Sequence, residues 1–138
     1  MSALTLDRVH YQTMLEHVLQ CLPEEACGLV GGTGSRARIV LPIMNQLHSR
    51  ERFEMEPREQ IKALGWLEEH GLEVVAIFHS HPRGPQAPSQ TDIENFNYSP
   101  AATLIWALKE TEWQVQGFSI IEKQASPLQL IWQSYEQP

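Results

Sequence analysis

The chain is predicted to be an α/β protein folded as one domain over residues 1–138, and three observations carry that prediction. Apolar residues at Tyr11, Met14, Leu15, Val18, Leu19 and Leu22 recur at helical spacing between two strand-like segments. A second helical stretch opened by Pro57 runs directly into the continuous apolar run Val74-Val75-Ala76-Ile77-Phe78. Three short segments rich in β-branched and aromatic residues then follow one another towards the end of the chain. With 138 residues, 42% of them apolar, there is material for one core without disulfide staples and no room for a second domain.

Taken in order, Ala3 to Leu6 reads as a short strand and Asp7 as the N-cap of the first helix, which Pro23 ends. Glu25 to Gly32 reads as a strand entering a turn at Gly31-Gly32-Thr33-Gly34-Ser35, so Glu25 falls where helix gives way to strand. Arg36 to Ile43 is a second strand by alternation, and the polar stretch Asn45 to Arg52 is a loop ahead of Phe53-Glu54-Met55. In the second helix Ile61, Leu64 and Leu67 are assigned to the buried face, and Gly71 stops it. Leu72 to His81 follows as a strand whose unbroken apolar run predicts burial on both faces. The proline-rich loop from Pro82 to Pro88 leads to a short helix opened by Ser89-Gln90-Thr91-Asp92 and running through Phe96. Thr103 to Leu108, Gln114 to Ile121 and Leu128 to Gln133 are the remaining strands.

Composition narrows the function. A formal net charge of −7 with only 10 Lys and Arg leaves no basic face for nucleic acid. No apolar stretch approaches the roughly 20 residues of a membrane-spanning helix. Cys21 and Cys27 are too few for a disulfide framework, and Met1 to Asp7 shows no basic region followed by an apolar core, so a cytoplasmic protein is expected. Cys27 is expected to pack as a small buried hydrophobe. His10, His17, His48 and His70 lack paired spacing and are expected to be surface or structural, while Trp66, Trp106, Trp113 and Trp132 are expected in the core or at its margin.

The chemistry concentrates in His79-Ser80-His81-Pro82 and in Ser89 and Asp92 beyond the loop. Histidines at i and i+2 of a strand point to one face, so both imidazoles can meet a single metal ion while Ser80 points away. They would emerge at the C-terminal end of their strand, where open α/β sheets place their chemistry. With Asp92 as third ligand, a tetrahedral zinc ion keeps an open fourth position for water, the layout of a catalytic site. Ser89-x-x-Asp92 is at the same time a helix capping box, and the two roles are compatible, since a capped first turn fixes the carboxylate.

The run His-x-His-Pro, six residues, Ser-x-x-Asp resembles the JAMM signature of the MPN family of zinc metalloproteases, with every position present. The family also carries an upstream glutamate in a segment similar to Pro23-Glu24-Glu25-Ala26-Cys27-Gly28-Leu29-Val30-Gly31-Gly32. The resemblance implies a mixed β-sheet flanked by helices, related in outline to cytidine deaminases, and a metal site of His79, His81 and Asp92 holding one zinc ion. It implies Glu25 as general acid and base, with Glu24 as its neighbour and fallback, and Ser89 as hydrogen-bond donor to the oxyanion. The chain is too short for the insertions of eukaryotic members and is similar to the minimal prokaryotic type. Members of that type cut the amide or isopeptide bond after the C-terminal Gly-Gly of a ubiquitin-like or sulfur-carrier protein, so such a protein is the implied partner; a homodimer is left open. The rival readings are a non-catalytic MPN scaffold that binds protein partners, and a zinc amidase or deaminase acting on a small molecule. The deaminase signature of His-x-Glu with Pro-Cys-x-x-Cys is absent from the sequence.

Overall fold

In the computed structural model, which describes residues 1–133, a seven-stranded mixed sheet carries three helices in the order β1 (Ala3–Asp7), α1 (Arg8–Cys21), β2 (Cys27–Thr33), β3 (Arg36–Ile43), α2 (Pro57–Glu69), β4 (Glu73–His81), α3 (Gln90–Asn95), β5 (Ala102–Lys109), β6 (Glu112–Ile121) and β7 (Gln124–Gln133). The strands lie in the order β1-β3-β2-β4-β5-β6-β7. β4 pairs in parallel with β5, β2 is antiparallel to β3 and β4, and β6 is antiparallel to β5 and β7.

The expected mixed sheet flanked by helices is present, but it is not the open sheet that the strand-end argument assumed. β7 returns to pair with β1 in parallel from Ala3↔Gln129 to Asp7↔Gln133, and Thr5↔Arg36 joins β1 to β3, closing a barrel. The His79 and His81 positions at the C-terminal end of β4 are unaffected, because they follow from the parallel β4–β5 pair.

The two faces carry different packing. Met14 and Val18 of α1 meet Leu4, Leu6, Val30, Phe78, Leu104 and Trp106 in the larger core. On the other face Ala63 and Leu64 of α2 pack with Leu29, Ile43, Met55 and Ile77. β4 therefore has helices on both sides, which is why Val75 to His81 are all buried.

One expectation for α2 fails. Ile61 is 70% exposed, whereas Leu67 is buried. The inward stripe is Gln60, Ala63 and Leu64, all part-buried, with the buried Leu67, at i, i+3, i+4 and i+7. Gln60 takes that position because its Nε2 donates to the Tyr98 hydroxyl, a partner that periodicity cannot reveal. Of the tryptophans, Trp106 is fully buried, while Trp66 and Trp132 are more than a third exposed at the margin. Trp66 stacks on His70 and Trp132 meets Tyr11 edge-on.

Candidate metal centre

The centre lies where the apolar run of β4 ends. Alternation puts Ile77, His79 and His81 on one face of the strand and Phe78 and Ser80 on the other. His79 is fully buried, with its ring stacked on Phe53 at a centroid separation of 4.5 Å. The loop after β4 folds back so that His81 Nδ1 donates to the Pro85 carbonyl at 2.7 Å. α3 then delivers Asp92, whose Oδ2 is 3.0 Å from His79 Nε2 and 3.0 Å from His81 Nε2.

α3 is held by the anticipated capping box. The Asp92 amide donates to Ser89 Oγ at 3.0 Å, and the Ser89 amide donates to Asp92 Oδ2 at 2.9 Å. One carboxylate oxygen thus caps the helix and faces both histidines. The hydroxyl of Ser89 is used only as an acceptor there, so its proton remains available.

Glu25 comes in from the opposite side. It is buried, and a carboxylate oxygen of Glu25 lies with ring nitrogens of His79 and His81 in a cluster whose donor atoms are all within 4.8 Å of one another. Its Oε1 has no hydrogen-bond partner among the described residues. Glu24 faces away and pairs with His48 across 3.1 Å at the surface.

The electrostatics follow from burial and from the Asp92 carboxylate. Burial opposes the charged form of Asp92, but hydrogen bonds from His79 and His81 outweigh it and hold the carboxyl far below the usual range. Complete burial lowers the pKa of His79 despite its bond to Asp92. For His81 burial acts in the same sense, yet the Asp92 and Pro85 contacts prevail and raise it. Burial pushes Glu25 up to about 8; His81 opposes the shift, and Asp92 and Glu51 add to it.

These residues fit a zinc ion. Because the Pro85 carbonyl can only accept, His81 Nδ1 carries a proton, and a neutral ring then turns the Nε2 lone pair towards Asp92 Oδ2. With a neutral ring, two acceptors face each other across 3.0 Å, an arrangement that a cation between them would satisfy. A tetrahedron with bonds of about 2.1 Å has edges of about 3.4 Å, slightly longer than the two nitrogen–oxygen separations here. A histidine anchored through its other nitrogen to a carbonyl is the usual outer-shell arrangement of a zinc ligand.

Two residues that sequence reasoning passed over hold the Glu25 segment. In the β2–β4 ladder the pair beyond Cys27↔His79 is Ala26 opposite Ser80. The Ser80 amide donates to the Ala26 carbonyl at 3.0 Å, but the Ala26 amide donates to Ser80 Oγ at 2.8 Å and not to the Ser80 carbonyl. The hydroxyl ends the ladder and lets the chain leave the sheet at Glu25. Asn45 Nδ2 donates to the Glu25 and Arg52 carbonyls at 3.1 and 3.0 Å, while Asn45 Oδ1 accepts the amides of Leu47 and Glu54. Asn45 in a polar loop gives no sequence signal; Ser80, between the histidines, was legible only as pointing away from them.

A groove of about 490 Å³ opens beside the centre, with His79 and Asp92 in its wall, between the Leu47 to Met55 loop and the residues after α3. The expected packing role of Cys27 is met, since it is buried with its thiol against the Ile43 carbonyl. His10 is buried and accepts the Asp7 amide at the start of α1, and His17 contacts the Ile43 carbonyl.

Comparison with known proteins agrees with this geometry. The chain is 36% identical to the desampylase of Pyrococcus furiosus over 83% of this chain and 79% of that protein. It is 30% identical to the CysO-cysteine peptidase of Mycobacterium tuberculosis over 59% of this chain and 57% of that protein. A solution structure of a protein from Desulfitobacterium hafniense superposes with a TM-score of 0.85 at 33% identity, covering 96% of this chain and 94% of that one. The family model of the prokaryotic homologs of the JAB domain matches residues 7–118, a span that takes in Glu25, both histidines, Ser89 and Asp92. The chain therefore belongs to the JAMM/MPN family, in its minimal prokaryotic form.

Proposed function

We propose that this chain is a zinc-dependent hydrolase that cuts the amide or isopeptide bond after the C-terminal Gly-Gly of a ubiquitin-like or sulfur-carrier protein. The observation that carries the reading is the convergence of a buried, unpartnered Glu25 carboxyl with two histidines that already share one Asp92 oxygen. His79, His81 and Asp92 would hold the ion. When bound, zinc supplies Lewis acidity at the scissile carbonyl and a water acidified to near neutrality.

The chain's own residues do the rest. Glu25 Oε1, buried and without a hydrogen-bond partner among the described residues, is placed to take a proton from the attacking water and to give it to the leaving amine. Ser89 Oγ keeps its own proton for the carbonyl oxygen as charge develops there, because its lone pair already serves the Asp92 amide. The groove walled by His79 and Asp92 takes the acyl side of the substrate, the tail that ends in Gly-Gly. The names of the relatives, a desampylase and a CysO-cysteine peptidase, support a protein-carrier substrate. The complete donor set argues against a scaffold role, and no helix among the described residues is long and apolar enough to cross a membrane.

The test is cleavage of a carrier fused through Gly-Gly to a reporter. Cleavage is expected to stop with a chelator and to return with zinc. Glu25→Gln is expected to keep its zinc and lose at least about 100-fold in kcat. Undiminished cleavage by Glu25→Gln would remove Glu25 from the chemistry, and cleavage indifferent to chelation would remove the metal.

A further inference from the structure

The backbone of Glu25 is tied to the same loop that walls the groove. Residues 45–55 form a loop closed at its neck by the antiparallel bridge Asn45↔Met55, with the Gln46 amide donating to the Glu54 carbonyl and the Glu56 amide to the Met44 carbonyl, each at 2.9 Å. Leu47, Glu51, Arg52, Phe53, Glu54 and Met55 of this loop line the groove. The Glu25 amide donates to the Ser49 carbonyl at 2.8 Å, and the Glu25 carbonyl accepts Asn45 Nδ2 at 3.1 Å, so both backbone groups of Glu25 end on the loop.

Asn45 is the joint. Its side chain is buried, with Nδ2 serving the Glu25 and Arg52 carbonyls and Oδ1 the Leu47 and Glu54 amides. A carboxamide has two donor hydrogens and two acceptor lone pairs, so these contacts use it completely. Three of them go to the loop's own backbone, and the fourth goes to Glu25. Arg52 and Glu54, gripped in this way, fix Phe53 between them, and its ring stacks on His79 at 4.5 Å with the planes 26° apart. Between the buried Asn45 and Met55 every residue is exposed except the part-buried Ser49 and Phe53, so the loop has little packing of its own and takes its shape from Asn45.

We propose that Asn45 is a positioning residue that holds Glu25 through its carbonyl and locks the groove wall to it, so that a tail seated against the wall also steadies Glu25. The assignment rests on the peptidase reading. The coupling follows from linkage: a tail that binds the closed wall more tightly than a loosened one raises the fraction of molecules in which Asn45 keeps all its contacts, and the Glu25 carbonyl is one of them. Part of the tail's binding energy is then used to place Glu25 and shows in kcat as well as in KM.

Two experiments test this. In the first, amide exchange of the metal-free protein is followed by NMR with and without the peptide acetyl-Ala-Ala-Gly-Gly, so that no cleavage is involved. In wild type the Leu47, Glu54 and Glu25 amides are expected to slow together, by about threefold or more. Asn45→Asp keeps an acceptor for the Leu47 and Glu54 amides and turns an oxygen in place of the donors towards the Glu25 and Arg52 carbonyls; its loop amides are expected to slow with peptide while the Glu25 amide loses the response. In the second, zinc-loaded Asn45→Asp is expected to cut a Gly-Gly fusion with kcat at least about tenfold lower at the zinc content of wild type. A wild-type Glu25 amide that keeps its rate while Leu47 and Glu54 slow, no slowing of any of the three, or wild-type kcat in Asn45→Asp would each overturn the coupling and leave the peptidase reading intact. If Asn45→Asp does not fold, the wild-type exchange result decides alone. A Gly-Gly fusion left uncut by zinc-loaded wild type would overturn the peptidase reading, while the exchange result still decides whether Asn45 joins the wall to Glu25.

Discussion

Replacing Ser80 by alanine isolates what holds Glu25 in place. The hydroxyl is fully buried and accepts the Ala26 amide at 2.8 Å, and no ladder carbonyl substitutes for it. Its removal strands a buried N–H at a cost of about 1–3 kcal/mol. For a chain of this size the unfolding entropy is about 0.3 kcal/mol per degree, so the expected fall in Tm is about 3–10 °C. The stranded amide is one residue from Glu25, and the remaining ties on that residue are the Asn45 and Ser49 backbone contacts. Kinetics on a Gly-Gly fusion should therefore show kcat down at least about tenfold, KM within about twofold, and zinc content unchanged by metal analysis. Ser80→Thr retains the acceptor and is expected to recover most of kcat if it folds. An Ser80→Ala protein with lowered Tm but unaltered kcat would show that the hydroxyl only stabilises the strands and would refute its role in aiming Glu25.

Three further outcomes follow from the same geometry. Glu25 has a folded pKa of about 8 against 4.5 for the free carboxyl, so the folded state binds more protons between these values and metal-free stability falls as pH rises from about 5 to 8; Glu25→Gln should flatten that slope in pH-dependent denaturation. Asp92→Asn removes the charge shared by His79 and His81 and should weaken zinc binding at least about 100-fold in a competition titration, while an asparagine side chain can still cap α3. Gly28→Ala would place a Cβ 2.4 Å from Phe78 Cε1 and 2.7 Å from the Leu41 carbonyl, so denaturation should show a loss of about 1–3 kcal/mol or more.

Much of this was legible in the sequence because it is local. Apolar spacing located α1, and alternation along β4 put His79 and His81 on one face with a capped turn nearby to present Asp92. What was hidden is of two kinds. The β7–β1 pairing joins the two ends of the chain, and no residue of Ala3 to Asp7 announces its partner. Asn45 and Ser80 act through hydrogen bonds to backbone groups 20 and 54 residues away, contacts that leave no periodicity to read. Ile61 was misplaced for a related reason, since the inward stripe of α2 begins with a polar, part-buried Gln60 whose partner is Tyr98.

The capping box of α3 has a consequence for how the centre forms. A six-residue helix is far too short to persist alone, and one of its two capping contacts uses the oxygen that faces both histidines. A cation bound between that oxygen and the histidines would therefore tighten the Ser89 turn. Amide hydrogen exchange over Gln90–Asn95 should slow on zinc addition more than anywhere in β2 or β4, which gives the protein a built-in reporter of its loaded state.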